Sequence, residues 1–177
     1  MKYLLVIDMQ KDFICGSLGT NEAKNIVKNV CSLIKYYKDN NMSIIVTQDT
    51  HDSNYLTNTL EGKLLPIAHC IKDSWGWEID DTVLAALGSY DKVVYLEKNT
   101  FGSLKLPSVL TDDVEEIEIC GLCTDICVIS NALILRAAFP NARIVIRENC
   151  CAGVTPEKHK AALEVMKSCQ IEVIQND

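Results

Sequence analysis

The sequence predicts a three-layer α/β/α fold built on a six-stranded parallel sheet of order 3-2-1-4-5-6. Three observations carry that prediction. Short apolar segments alternate with segments of helical periodicity, the pattern of strand–crossover–strand units and hence of a parallel sheet. The chain has 177 residues, 48% of them hydrophobic and 23% charged, the length and make-up of one ordinary globular unit. No internal repeat, linker or compositional break divides it, so residues 1–177 read as a single domain. A chain of this size buries roughly 70% of its unfolded surface and needs no metal or disulfide to fold. The order 3-2-1-4-5-6 is the common doubly wound arrangement.

The elements follow in turn. Lys2 to Asp8 is a short apolar run ending in an acid, read as a buried strand. A loop with Gly16 and Gly19 follows, then Asn21 as a helix N-cap. Ile26, Val30, Leu33, Ile34 and Tyr37 recur at helical spacing, which predicts a helix from Asn21 to about Asn40 with one buried face. Ser43 to Gln48 is the second strand. Residues 49–78 form a long irregular stretch, a length that usually signals function. Asp80 to Leu87 is a short helix, Asp91 to Glu97 the third strand and Glu115 to Cys120 the fourth. Thr124 to Phe139 reads as a helix apolar nearly all round, hence deeply packed. Ala142 to Arg147 is the fifth strand, Pro156 opens a helix to about Ser168, and Ile171 to Ile174 closes as the sixth strand.

Charge and cysteine content narrow the function classes. The formal net charge of −7 argues against nucleic-acid binding, which calls for a basic footprint. No apolar run approaches the roughly 20 residues of a membrane span. Lys2 is followed only by Tyr3 to Ile7 before Asp8 interrupts, too short for the roughly 7–15 apolar residues of an export signal, so a cytoplasmic location is expected. Nine cysteines at irregular spacing make a poor disulfide framework and read mostly as small core residues. The expected partner is a small molecule, with association into a homo-oligomer left open.

In doubly wound sheets, function sits outside the carboxyl ends of the strands. Asp8 lies there after strand one, Asp49 and His51 after strand two, Lys98 after strand three, and Gly121 to Cys127 after strand four. Thr124 as a cap would put Cys127 in the first turn of a helix, where partial positive charge lowers a thiol's pKa and free N–H groups face an oxyanion. The bland alternative is a buried cysteine acting as a small hydrophobe. Asp8 is the better candidate base, because strands one and four are neighbours in this order and no Cys–His pair is suggested; His159 reads as exposed on a late helix. Lys98 could pair with Asp8 and hold it ionised. Alternate residues of an extended segment point the same way, so Asp49 and His51 can converge on one ion, and His69 would complete two imidazoles and a carboxylate. That set suits zinc, iron or manganese; its bland reading is surface polarity after a strand. Cys120-x-x-Cys123 has no second pair and reads as structural. Phe13 is core or a pocket wall, and Trp75 and Trp77 line a cleft or anchor the long loop.

Taken together, these residues resemble the isochorismatase-like cysteine hydrolase family, specifically its nicotinamidase branch. Asp8-Met9-Gln10-Lys11-Asp12-Phe13 is similar to the opening D-x-Q-x-D-F, Gln48-Asp49-Thr50-His51 and His69-Cys70 to the two metal half-sites, and Lys98-Asn99-Thr100-Phe101-Gly102-Ser103 to the lysine segment. Gly121-Leu122-Cys123-Thr124-Asp125-Ile126-Cys127-Val128 matches the nucleophile turn G-x-x-T-D-x-C-V. The resemblance implies a catalytic triad of Asp8, Lys98 and Cys127. It implies a cis peptide between Leu122 and Cys123, with the backbone N–H groups of Cys123 and Cys127 as oxyanion donors. It also implies Asp49, His51 and His69 as ligands of one divalent transition metal, most simply zinc, that holds a pyridine nitrogen, and Phe13 as a wall of the substrate pocket. The implied activity is hydrolysis of a small amide through a cysteine thioester, nicotinamide giving nicotinate and ammonia. One departure stands out: the family's tryptophan shortly before the second metal histidine is replaced here by Leu65-Pro66-Ile67-Ala68. The alternatives are a related amidase, metal-binding or metal-free, for another small ring or carbamoyl amide, and a non-catalytic α/β binding domain.

Overall fold

In a computed structural model of the chain, which describes residues 1–175, the sheet has the expected order β3-β2-β1-β4-β5-β6 and every neighbouring pair is parallel. The last two positions of the expected 1–177 unit lie outside the described residues. The strands are β1 (Lys2–Ile7), β2 (Ser43–Asp49), β3 (Val93–Lys98), β4 (Glu116–Leu122), β5 (Arg143–Ala152) and β6 (Glu172–Ile174). The helices are α1 (Lys11–Ile14), α2 (Asn21–Asp39), α3 (Tyr55–Asn58), α4 (Leu60–Leu64), α5 (Asp81–Leu87), α6 (Ile129–Ala138) and α7 (Pro156–Ser168). Helix α2 packs on α5, and α6 on α7. Right-handed crossovers put the two pairs on opposite faces of the sheet, which makes three layers. Leu4, Val6, Ile44, Val46, Ile117 and Ile119 are completely buried, as strands covered on both faces require.

Several boundaries differ from the sequence reading. Thr20, not Asn21, caps α2: its hydroxyl accepts the Ala23 N–H at 3.0 Å. Asp80 caps α5 rather than opening it, accepting from the Thr82 and Val83 N–H groups. Strand β4 runs two residues past Cys120 to Leu122, and β5 continues to Ala152. The register between β4 and β5 shifts after Ile119, so that Gly121 pairs with Cys151. Gly121 has a φ of 119°, and a Cβ there would lie 2.1 Å from the Ile7 carbonyl oxygen, so only glycine fits. The stretch 49–78 is not structureless; it holds α3, α4, a 3₁₀ turn at Trp75–Trp77 and a bridge between His51 and Ile71.

The expected helix from Thr124 to Phe139 is in fact two pieces. Thr124–Val128 is a turn of π-helix, and α6 begins only at Ile129. Leu133 is 37% exposed, so α6 packs on one side and is not enveloped. All nine cysteines are free, and Cys70, Cys120, Cys127, Cys150 and Cys151 are buried, as small core residues should be. No helix among the described residues is long and apolar enough to cross a membrane.

Candidate active site

The parallel sheet brings the C-terminal ends of β1, β2, β3 and β4 to one edge. Asp8 leaves β1 with a φ of 47°, a left-handed conformation that is uncommon for a non-glycine residue. This turn points its carboxylate back under the sheet edge, where Lys98 Nζ lies 2.6 Å from Oδ2 and the Thr47 hydroxyl donates to Oδ1 at 2.6 Å. Lys98 Nζ is also 3.5 Å from Cys127 Sγ and 3.4 Å from Asp49 Oδ1. The Cys127 thiol is within hydrogen-bond reach of Asp8. Asp8, Lys98 and Cys127 are thus in mutual contact, although one follows β1, one ends β3 and one sits in the turn after β4, far apart in the sequence.

The electrostatics differ from the sequence expectation on one point. Burial pushes the Cys127 thiol well above its ordinary value, and the Asp8 and Asp49 charges add to the rise against Lys98. A thiolate promoted by a helix N-terminus is therefore not what is built. Thr124 makes no capping bond to this turn; its hydroxyl lies 2.8 Å from His159 Nδ1, and His159 is half-buried rather than exposed. Burial also raises the Asp8 carboxyl; Lys98 opposes that rise without cancelling it, and Asp49 adds to it. Burial would pull the Lys98 ammonium down, but Asp8, Cys127 and Asp49 outweigh it and keep the lysine charged. The result is a persistent ammonium cation beside a strengthened base and a protonated thiol.

The peptide between Leu122 and Cys123 is cis. The following turn is fastened by Asn131, whose side-chain amide donates to the Cys127 carbonyl at 2.8 Å and to the Phe101 carbonyl at 3.2 Å, and whose Oδ1 accepts the Ser103 N–H at 2.9 Å. Asn131 is fully buried and was not singled out from the sequence.

Asp49, His51 and His69 also converge. His51 Nε2 is 2.9 Å and His69 Nε2 3.7 Å from Asp49 Oδ2. A fourth donor joins them: Glu61 Oε1, on α4, lies 3.6 Å from His51 Nε2 and 3.7 Å from His69 Nε2. All four donor atoms lie within 4.8 Å of one another. Two imidazole nitrogens and two carboxylates facing a common point fit a divalent transition ion. Burial raises Asp49, yet the His51 hydrogen bond and the charges of Lys98, His51 and His69 outweigh it and hold the carboxyl below its usual range. Glu61 escaped the sequence reading because its signal is weak: one acid in a polar stretch, at no fixed spacing from the histidines.

The backbone around the cluster is held by residues of the first loop. The Gln10 amide both donates to the Asp49 carbonyl at 2.8 Å and accepts the Asp49 N–H at 2.7 Å. Asp12 Oδ2 accepts the Cys70 N–H at 2.8 Å, supporting Cys70 at a φ of 47° just after His69. Trp77 anchors the excursion, its indole N–H donating to the Thr50 hydroxyl at 2.9 Å, whereas Trp75 is exposed under the Lys11 ammonium.

Above both groups lies a cavity of about 270 Å³ with mostly apolar walls, including Phe13, Leu18, Leu65, Phe101, Leu122 and Ile126. Cys127, Asp49, Glu61 and His69 line it as well. Phe13 is both core and wall: it is 8% exposed and its ring centroid is 5.7 Å from that of His69. A small, largely apolar molecule in this cavity would be within reach of the Cys127 thiol and of three of the four donors, Asp49, Glu61 and His69.

Known proteins share this arrangement of the chain. The nicotinamidase/pyrazinamidase of Bacillus subtilis superposes with a TM-score of 0.84 at 26% identity, covering 97% of this chain and 98% of that one. The pyrazinamidase of Pyrococcus horikoshii, solved in complex with zinc, superposes with a TM-score of 0.81 at 26% identity over 99% of each chain. A probable inactive nicotinamidase of Arabidopsis thaliana is 29% identical over 182 aligned positions, 96% of this chain and 89% of its own. Similarity alone thus includes a relative named as a probable inactive enzyme, and the side chains described above carry the argument about chemistry. The isochorismatase domain matches residues 2–177, and the chain belongs to the isochorismatase family.

Proposed function

We propose that the protein hydrolyses a small aromatic amide through a thioester on Cys127, with nicotinamide giving nicotinate and ammonia as the reaction. The observation that carries this reading is the meeting of Asp8, Lys98 and Cys127 beside an apolar cavity that Cys127 lines together with Asp49, Glu61 and His69 of the four-donor cluster. Asp8, its basicity raised by burial, takes the thiol proton as sulfur attacks the amide carbon. The backbone N–H groups of Cys123 and Cys127 receive the oxyanion; losing one such donor typically costs 10²–10³ in rate. Asp8 returns the proton to the leaving ammonia, then takes one from the water that cleaves the thioester and passes it to the departing Cys127 sulfur, which restores the thiol. Lys98 stays charged throughout and keeps the Asp8 carboxylate aimed.

Asp49, His51, Glu61 and His69 would hold one divalent transition ion, with zinc the best match to the donors. Such an ion supplies a Lewis-acid position for a ring nitrogen. Phe13 supplies one flat wall for the ring. The test is ammonia release from nicotinamide by the purified chain, with and without a chelator. Release that the chelator suppresses supports the reading; no release with the zinc-loaded chain refutes it. A second reading, an amidase for another small ring or carbamoyl amide, is favoured by one observation. Leu65, not an aromatic residue, lines the cavity from the segment before His69. A panel of primary amides assayed for ammonia separates the two.

A further inference from the structure

The excursion between β2 and α5 holds a buried tyrosine that the chemistry above does not use. Tyr55 is 2% exposed. Its ring stacks on His51, with centroids 4.2 Å apart and planes 13° from parallel, and it meets His69 edge-on at 5.5 Å. Three polar groups surround its hydroxyl: the Ile67 carbonyl at 2.8 Å, His69 Nδ1 at 2.8 Å and the His69 backbone N–H at 3.2 Å. His69 Nδ1 is itself 2.8 Å from the Ile67 carbonyl.

Counting protons settles the roles. The His69 backbone N–H can only donate, so Tyr55 Oη accepts from it. The Ile67 carbonyl can only accept. A bare Nδ1 would set its lone pair against those of that carbonyl at 2.8 Å. Nδ1 therefore carries a proton, and the phenol donates to the Ile67 carbonyl. In the neutral ring this leaves the lone pair on Nε2, the atom that faces Asp49 and Glu61. The main chain of Tyr55 reaches the third donor. Its carbonyl accepts the Thr59 N–H at 3.0 Å and the Thr59 hydroxyl at 2.8 Å. Thr59 in turn accepts the Gly62 N–H at 3.0 Å and so caps the turn that carries Glu61.

We propose that Tyr55 is a positioning residue for the ion site: it holds His69 in the Nδ1-protonated form, clamps the His51 ring and anchors the Glu61 turn, so that three donors face one point before an ion arrives. The inference rests on reading the four-donor cluster as an ion site. Partners behind ligating histidines fix their tautomer, and losing one typically weakens metal binding 10–100-fold.

The test is zinc affinity, measured by competition with a chelating indicator, for ion-stripped wild type, Tyr55→Phe and Tyr55→Leu. Phenylalanine keeps the stack on His51 and loses the hydroxyl, and its zinc affinity should fall by about tenfold or more. Leucine loses both and should fall further. Two-bond ¹H–¹⁵N NMR of the ion-free wild type, read on the neutral His69 ring, should show it protonated at Nδ1. A Phe variant that binds zinc as tightly as wild type overturns the proposal, as does a wild-type His69 protonated at Nε2. A wild-type chain that takes up no zinc overturns the ion site itself, while the NMR result still decides the tautomer.

Discussion

The strand ends and the excursion between β2 and α5 bring two clusters of polar side chains to one cavity, and they are held in different ways. Asp8, Lys98 and Cys127 stand at or just beyond strands locked by backbone ladders: Val6 pairs with Cys120, Ile7 with Gly121, and Asp49 with Lys98. The strands themselves are set by main-chain hydrogen bonds that few side-chain changes disturb, and the Asn131 side chain fastens the turn that carries Cys127. His51, Glu61 and His69 sit on short turns fastened by individual side chains: Gln10 to Asp49, Asp12 to Cys70, Trp77 to Thr50. The difference teaches where damage should appear. Changing a strand-end side chain should remove chemistry and leave geometry. Changing the excursion should shift geometry and weaken binding first.

The largest expected effect is at the strand ends. Cys127→Ala should lower kcat by roughly 10⁴-fold or more, the scale seen when a covalent nucleophile is removed. Its circular dichroism should match wild type, because a small buried residue replaces another. Residual activity of more than a few per cent, in protein free of contaminating amidase, would deny Cys127 its role. Asp8→Asn comes next, at about 10³-fold in kcat, within the usual range for a general base. A loss of less than about tenfold would deny Asp8 the role of base.

The excursion should respond differently. His51→Ala should raise KM for nicotinamide more than it lowers kcat, by at least the 10- to 100-fold in metal affinity typical of disturbing a ligand's surroundings. Benzamide, which has no ring nitrogen, should suffer much less; equal losses for the two amides would keep the ion and deny it the ring nitrogen. Asp12→Ala removes the acceptor of the buried Cys70 N–H and should cost about 1–3 kcal/mol in urea unfolding, with a rise in KM. A rise in neither would show that the excursion is braced elsewhere. The smallest effect belongs to a strand residue outside the cavity. Cys120→Ala should cost about 1 kcal/mol and leave kcat/KM within about twofold. A large loss of rate there would blur the division between the two regions.

The two regions were not equally legible. Asp8, Lys98 and Cys127 could be picked out because alternation of strands and helices fixes which residues end strands, and a parallel sheet gathers those ends on one side. The pairing of Asp49 with His51 followed from the two-residue period of extended chain, and both side chains do meet. Within the excursion only the histidines were visible, since few other side chains bind transition ions so readily. Glu61 and Tyr55 were not, because nothing local marks an acid or a tyrosine in a polar loop.

The sequence by itself pointed to the sheet order through periodicity and connection rules, and marked the strand-end trio and Asp49, His51 and His69 as candidates through their places after strands, their residue chemistry and the resemblance of their motifs to a known family. Only the tertiary structure decided the fourth donor, the π-helical turn that carries Cys127 and the protonation of its thiol. The physical reason lies in what those features sum over. The rise in the Cys127 pKa is desolvation by the whole fold plus charges from β1 and β2. The Tyr55 hydroxyl finds its partners only when the excursion folds back 14 positions along the chain. Such terms have no expression in local pattern, since each requires distant segments to be packed before it exists.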